Sequence, residues 1–163
     1  MIYTIKAIPT VYNHVQFRSR LEARWAAFFD LCGWKWDYEP FDLDGWAPDF
    51  LLRSSVGPVL CEVKPYDAVD KMVREMQHGG SVGAIDEYAK AHTHAGLHQV
   101  LLLGFSPIIH DRMFPIGFPT LPPKAATYSY QQAIDALCVE DMEDRWVEAG
   151  NVVQWTPSRR RAA

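Results

Sequence analysis

Two neighbouring apolar stretches, WAPDFLL at residues 46–52 and VLCEVKP at residues 59–65, decide the fold of this chain. Each stretch predicts a short β-strand. The intervening RSSVGP, at residues 53–58, is rich in turn formers, so the two strands are expected to pair as a β-hairpin. Charged residues stand among the apolar ones in both strands, which is the first indication of function.

The hairpin is expected to bring two acidic side chains and one basic side chain together. Side chains alternate between the faces of a strand, so Glu62 and Lys64 share one face and stand about 7 Å apart. Asp49 meets them from the partner strand if the register allows. A buried charge without a partner costs several kcal/mol or titrates to its neutral form. A divalent cation is one partner that satisfies both carboxylates at once.

The order of these residues resembles a known nuclease signature. Pro48-Asp49, followed after an interval by Glu62-Val63-Lys64, is similar to the signature of the PD-(D/E)XK nuclease superfamily. In that superfamily a helix that often carries a further Glu precedes the hairpin. The stretch 17–25 predicts such a helix here and offers Glu22. In order and spacing the chain is most similar to small phage or prophage nucleases and junction resolvases.

The resemblance implies a fold and an activity. The fold would be α/β, with a central mixed β-sheet flanked by helices and a restriction-endonuclease-like core in the order α-β-β-β-α-β, over roughly residues 17–105. The activity would be hydrolysis of DNA phosphodiester bonds with Mg²⁺, for which Mn²⁺ is a substitute. An endonuclease of phage or bacterial DNA processing, recombination or repair is the implied class.

The resemblance also assigns a role to each site residue. Asp49 and Glu62 would bind the metal directly, with the backbone carbonyl of Val63 as a further ligand. Lys64 would orient the attacking water or neutralise charge on the phosphate. Glu22 would bind the metal through water or hold a second ion. The implied catalytic residues are Glu22, Asp49, Glu62 and Lys64.

A second role for Glu22 remains open from the residues alone. The helix is predicted from Ser19 to Cys32, and its apolar residues fall on one stripe. Ser19 and Glu22 fit a capping box, in which the Glu side chain reaches back to the start of the helix. Glu22 is therefore either a metal-site residue or a capping residue.

The remaining elements are predicted from periodicity and turn signals. Alternation predicts a half-exposed strand at 34–39, and a continuous apolar run at 99–105 predicts a strand buried on both faces and paired in parallel through a helical crossover. The other predicted segments are helices at about 67–77 and 84–95, an irregular Pro-rich segment at 106–127, a helix from about Tyr130 to Ala149 and a closing strand at 151–155.

Length and composition predict a single globular domain. The chain has 163 residues, 48% hydrophobic and 22% charged, which is enough for one sizeable core. We expect one nuclease-like domain over 1–163, with a core at 17–105, a C-terminal helix and strand extension at 128–156 and a basic tail at 157–163. The three scattered cysteines do not suggest a disulfide framework. Without a signal peptide or an apolar run of about 18 residues, a cytoplasmic protein with no membrane partner is expected.

The expected partner is DNA, although the net charge is −4. That charge argues against a generally basic surface but leaves a nuclease open, because only the local potential matters to a polyanion. The residues proposed to contact phosphates are Lys71, Arg74, Arg159, Arg160 and Arg161. Solvated surface positions and a solubilising tail are the alternatives for them.

Two questions stay open at this point. Cutting both strands with one site per chain favours a homodimer, but the sequence does not fix the oligomeric state. A non-catalytic nucleic-acid-binding or assembly protein on the same fold is the alternative function, and the filled signature positions favour the enzyme.

Overall fold

The computed structural model describes residues 7–80, 86–108 and 115–154. Its elements, in chain order, are β1 (Thr10–Tyr12), β2 (Val15–Phe17), α1 (Arg20–Leu31), β3 (Lys35–Tyr38), β4 (Phe50–Ser54), β5 (Gly57–Val63), α2 (Ala68–Gln77), a 3₁₀ turn (Asp86–Tyr88), α3 (Ala89–Thr93), β6 (Gln99–Leu103), β7 (Phe118–Pro119), α4 (Tyr130–Asp135) and α5 (Met142–Gln154). No helix in these ranges has the length and apolar content needed to span a bilayer.

The main sheet has five strands in the order β3-β4-β5-β6-β7. The pairs are antiparallel except for β5 and β6, which run parallel. The predicted α/β class, with a mixed sheet flanked by helices, is thus confirmed, as are the hairpin and the parallel pairing of the apolar strand. A separate two-stranded sheet, β1-β2, precedes α1.

The two faces of the sheet belong to two different cores. One face packs on α1 and α5 through Phe50, Val59, Cys61 and Val63, among other residues. The opposite face carries Leu60, which packs with residues of α3 and β6. Every residue of β6 is buried, as the continuous apolar run predicts for a strand covered on both sides.

The C-terminal strand predicted at 151–155 is wrong within the described range, because residues 151–154 form the last turn of α5. Gly150 suggested a helix end, but it lies inside the helix. A Cβ at Gly150 would stand 2.9 Å from Cζ of Arg24, so a side chain there would require the Arg24 guanidinium to shift. Residue 155 lies outside the described residues.

The single helix predicted from Tyr130 to Ala149 is two helices. Between α4 and α5 the buried Leu137 turns into the core and its carbonyl accepts a hydrogen bond from the N–H of Ile116 at 3.0 Å. Asp141 then adopts a positive φ of 52° before α5 begins. This long-range contact breaks the helix.

The described part of the Pro-rich segment after β6 packs on the sheet. Ile116 is fully buried, and Phe118–Pro119 adds the short edge strand β7 to β6. The sequence predicted an irregular segment here and not a further strand. Two residues are too few to give a periodic signal.

Candidate active site

The C-terminal end of β5 holds three of the predicted site residues. Asp49 directly precedes β4, and both Asp49 and Glu62 are buried. The Lys64 ammonium lies 2.5 Å from Oε1 of Glu62. The backbone N–H of Val63 donates to Oδ2 of Asp49 at 2.7 Å. The hairpin therefore sets two carboxylates and an ammonium at one end of the sheet.

Burial raises the pKa of the Asp49 carboxyl group into the neutral range. Its pKa is raised from 3.8 to about 7, first by desolvation and next by the negative charge of Glu62, with a smaller contribution from Glu22. The N–H of Val63 and the charge of Arg18 act in the opposite direction. The carboxyl groups of Asp49 and Glu62 therefore interact electrostatically, and a cation placed between them would favour ionised Asp49. The expected separation of about 6 Å between the two carboxylates stays a prediction.

Glu62 is held by two donors, one of which the sequence did not reveal. The indole N–H of Trp46 donates to Oε2 at 2.7 Å, and Lys64 occupies Oε1. Trp46 in turn packs against the ring of His94, with centroids 5.4 Å apart. A tryptophan just before a strand looks like an ordinary core residue, so only its position in the fold identifies it as a partner of Glu62.

Glu22 lies beside this cluster and is not held in a capping box. Ser19 accepts the N–H of Glu22 at 3.1 Å, but no return bond from the Glu22 side chain to Ser19 occurs among the described contacts; α4 has both bonds. The Tyr38 hydroxyl instead donates to Oε2 of Glu22 at 2.5 Å. Burial, followed by the bond to Glu22, raises the pKa of Tyr38 to about 12, so this hydroxyl keeps its proton.

Arg18 is the second residue that the sequence did not single out. Its guanidinium bonds Oδ1 of Asp49 at 2.6 Å and Oε1 of Glu39 at 2.9 Å, and it lies 3.9 Å from Oε2 of Glu22. Only the spacing of Arg18 and Glu22, four residues apart at the start of α1, hints at one of these contacts. The others join segments distant in sequence.

A cavity of about 560 Å³ opens onto Asp49 and Lys64, whereas Glu62 is not part of its wall. Residues from the chain start, α1 and the end of β5 form its wall: Ala7, Ile8, Arg18, Ser19, Arg20, Leu21, Glu22, Asp49, Val63, Lys64 and Pro65. The wall of this cavity thus contains basic, acidic and apolar side chains as well as backbone atoms. A cavity of about 590 Å³ on the other side of β3 contains none of the predicted catalytic residues.

The donor atoms fit a hard divalent cation in kind. Asp49 and Glu62 offer carboxylate oxygens, which Mg²⁺ and Mn²⁺ prefer. Among the described side chains no three His, Cys, Asp or Glu residues already stand in a metal-binding arrangement. Arg18 pairs with one oxygen of Asp49, and Lys64 pairs with one oxygen of Glu62. The carbonyl of Val63 stays a predicted ligand; the described contact of Val63 with Asp49 is through its N–H.

The residues proposed to contact DNA make local contacts on α2. Arg74 pairs with Asp70 at 2.9 Å, and the Lys71 ammonium lies 4.1 Å from the ring centre of Tyr66. Both contacts are those of ordinary surface residues, and a role with phosphates stays a prediction. The tail residues Arg159, Arg160 and Arg161 lie outside the described residues.

Comparison of the chain with protein families, curated proteins and solved structures finds no match. The nuclease interpretation therefore depends on the motif and on the geometry of the cluster.

Proposed function

We propose that this protein is a metal-dependent nuclease that hydrolyses DNA phosphodiester bonds at the cluster of Asp49, Glu62 and Lys64. The observation that carries the proposal is the pair of buried, electrostatically coupled carboxylates, of which Asp49 lines a cavity and Glu62 has an ammonium 2.5 Å away. Perturbed ionisable groups of this kind cluster at functional sites. An ordinary core position would hold apolar residues instead.

The surroundings of each residue in the cluster suit a particular role in phosphodiester hydrolysis. Asp49 and Glu62 would hold Mg²⁺, with Glu22 acting through water from the wall of the same cavity. When bound, the ion would supply charge stabilisation and a bound water of lowered pKa. Lys64 is a flexible point charge, so its ammonium can leave Glu62 to neutralise a phosphate oxygen or to orient the attacking water. Low exposure at the carboxylates strengthens each of these interactions.

The order of the elements supports the finer part of the fold proposal. The succession α1-β3-β4-β5-α2-β6 matches the order α-β-β-β-α-β expected of a restriction-endonuclease-like core, apart from α3 and the 3₁₀ turn before β6. In this proposal the hairpin β1-β2, the edge strand β7 and the helices α4 and α5 are additions to that core.

The test is a cleavage panel with Mg²⁺ on linear, circular, single-stranded and four-way-junction DNA. We expect cleavage of at least one substrate by the wild type, and none by Asp49→Ala or Lys64→Ala. The matched control is Asp37→Ala, since Asp37 also accepts a bond from an arginine, Arg53, at 2.6 Å but is half exposed. Wild-type activity in both cluster variants would refute the assignment.

A non-catalytic nucleic-acid-binding or assembly protein is the second candidate. It is favoured by the basic partner that each of Asp49 and Glu62 already has, since paired carboxylates need no metal. A thermal shift with Mg²⁺ or Mn²⁺ separates the two functions. The enzyme should gain stability through Asp49 and lose that gain in Asp49→Ala, because a ligand stabilises only the state that binds it. A wild type that binds DNA, cleaves no substrate and ignores both ions would be the binding protein.

A further inference from the structure

Arg18 stands where a cation bound by Asp49 would have to stand. Its guanidinium lies 2.6 Å from Oδ1 of Asp49, and the other oxygen of that carboxylate accepts the N–H of Val63. Three carboxylates from separate segments surround the same guanidinium: Glu22, Glu39 and Asp49. Any metal ion that takes Oδ1 of Asp49 must therefore displace Arg18 or bind against its charge.

The side chain of Arg18 is far more exposed than that of Asp49, and Nε of Arg18 also donates to the Tyr38 hydroxyl at 3.3 Å. Arg18 is 60% exposed at its side chain, and Asp49 only 7%. Its backbone N–H is anchored separately, through a 3.1 Å bond to the Tyr38 hydroxyl. The guanidinium can therefore leave Asp49 without disturbing the core, while its Cα stays at the edge of the cavity.

The cavity offers the displaced guanidinium a second anionic partner. Arg18 lines it together with Lys64, so two basic side chains face the space that a phosphate group of the substrate would enter. The planar fork of a guanidinium matches phosphate oxygens in a bidentate manner. Arg18 would thus replace its charge-assisted contact with Asp49 by one with a substrate phosphate.

We propose that Arg18 exchanges partners in this site: it holds Asp49 in the free protein and passes to a substrate phosphate when Asp49 takes up the metal ion. This inference rests on the proposed function. It makes Arg18 a competitor of the metal before substrate binds and a phosphate contact afterwards. Metal and nucleic acid then strengthen each other's binding, and this coupling is reciprocal.

The experiment measures Mn²⁺ affinity by calorimetry at about pH 8. All proteins carry Lys64→Ala, which the proposed function predicts to be inactive, so that DNA survives the titration. Arg18→Ala should bind Mn²⁺ about fivefold more tightly than its parent, since an exposed pair contributes a factor of about this size. Arg18→Lys keeps the charge and should stay close to the parent.

Arg53→Ala is the matched control. Arg53 also bonds one carboxylate at 2.6 Å, with a side chain 52% exposed, but that carboxylate is Asp37. Its Mn²⁺ affinity should equal that of the parent. Circular dichroism on each variant excludes misfolding as the cause of any change.

The same titrations are repeated in the presence of a saturating short DNA duplex. They test whether Arg18 passes to a phosphate of the DNA. The fivefold advantage of Arg18→Ala should shrink towards equality, because the phosphate then holds Arg18 away from Asp49 in the parent. An advantage that DNA leaves unchanged would overturn the exchange. Equal Mn²⁺ affinities without DNA would overturn the competition while leaving the proposed function intact. No Mn²⁺ binding by any of the proteins would refute the proposed function and the exchange together.

Discussion

Asp49 gives the protein a pH dependence of stability that can be measured without any substrate. Its pKa is about 7 in the folded protein, against an ordinary value of 3.8. Between these values the folded state keeps a proton that the unfolded state has released, so the free energy of unfolding falls as the pH rises. A gap of about 3 pKa units, at about 1.4 kcal/mol each, corresponds to a loss of about 4 kcal/mol.

Asp49→Asn removes this titration with little change in shape. The free energy of unfolding of the variant, minus that of the wild type, should rise by up to about 4 kcal/mol between about pH 4 and about pH 8, and level off above the pKa. The attraction between Arg18 and ionised Asp49 is already part of this titration, because the charge of Arg18 lowers the pKa of Asp49. The slope of the difference therefore isolates the buried carboxylate.

The assay is urea unfolding followed by tryptophan fluorescence, in EDTA, at about four pH values across this window. Asp37→Asn is the control, because Asp37 has the same kind of arginine contact but is 49% exposed at its side chain. A flat difference for Asp49→Asn would refute the raised pKa. A difference that falls with pH would show that Arg18 and the N–H of Val63 outweigh burial, which would reverse the electrostatic argument.

Three further predictions concern Trp46, Gly150 and the C-terminal tail. Trp46→Phe leaves Oε2 of the buried Glu62 without its indole donor, and urea unfolding should show a loss of about 1–3 kcal/mol; an unchanged midpoint would contradict the role of that bond. Gly150→Ala should destabilise the wild type but stabilise Arg24→Ala by up to about 1 kcal/mol, because only the arginine blocks a Cβ that otherwise favours the helix; the same sign in both backgrounds would contradict this. Deleting residues 158–163 should weaken DNA binding and reduce its salt slope by up to about three, and an unaltered slope would show that the tail does not touch phosphates.

Periodicity and capping signals in the sequence correctly predicted the strands and the helix whose formation depends on neighbouring residues. Because side chains alternate along a strand, Glu62 and Lys64 were predicted to share one face, and they form an ion pair there. The apolar run at 99–105 gave a buried strand in parallel pairing. The helix before the hairpin was predicted from its apolar stripe, and its N-cap is Ser19 as the capping pattern suggests.

Errors arose where distant residues decide the local structure. A glycine is typical of a helix end, yet Gly150 lies inside α5. The guanidinium of Arg24 stacks over Trp146 at 4.0 Å and donates to its carbonyl, and it would have to shift to admit a Cβ at residue 150. The break at Leu137 depends on a bond to Ile116. Neither contact leaves a periodic signal in the sequence, and helix propensity is too weak a preference to oppose them.

The same limit explains why the acidic residues were predicted and their basic partner was not. A carboxylate inside an apolar strand is conspicuous because burial makes it costly, whereas an arginine before a helix is ordinary. Only the fold brings Arg18 to Asp49. Four carboxylates then face two basic side chains at this end of the sheet: Glu22, Glu39, Asp49 and Glu62 against Arg18 and Lys64. Negative charge remains in excess there, and it would repel a phosphate. In the proposed nuclease a divalent cation held by these carboxylates would offset that excess, so the metal ion and the DNA backbone are expected to favour each other's binding.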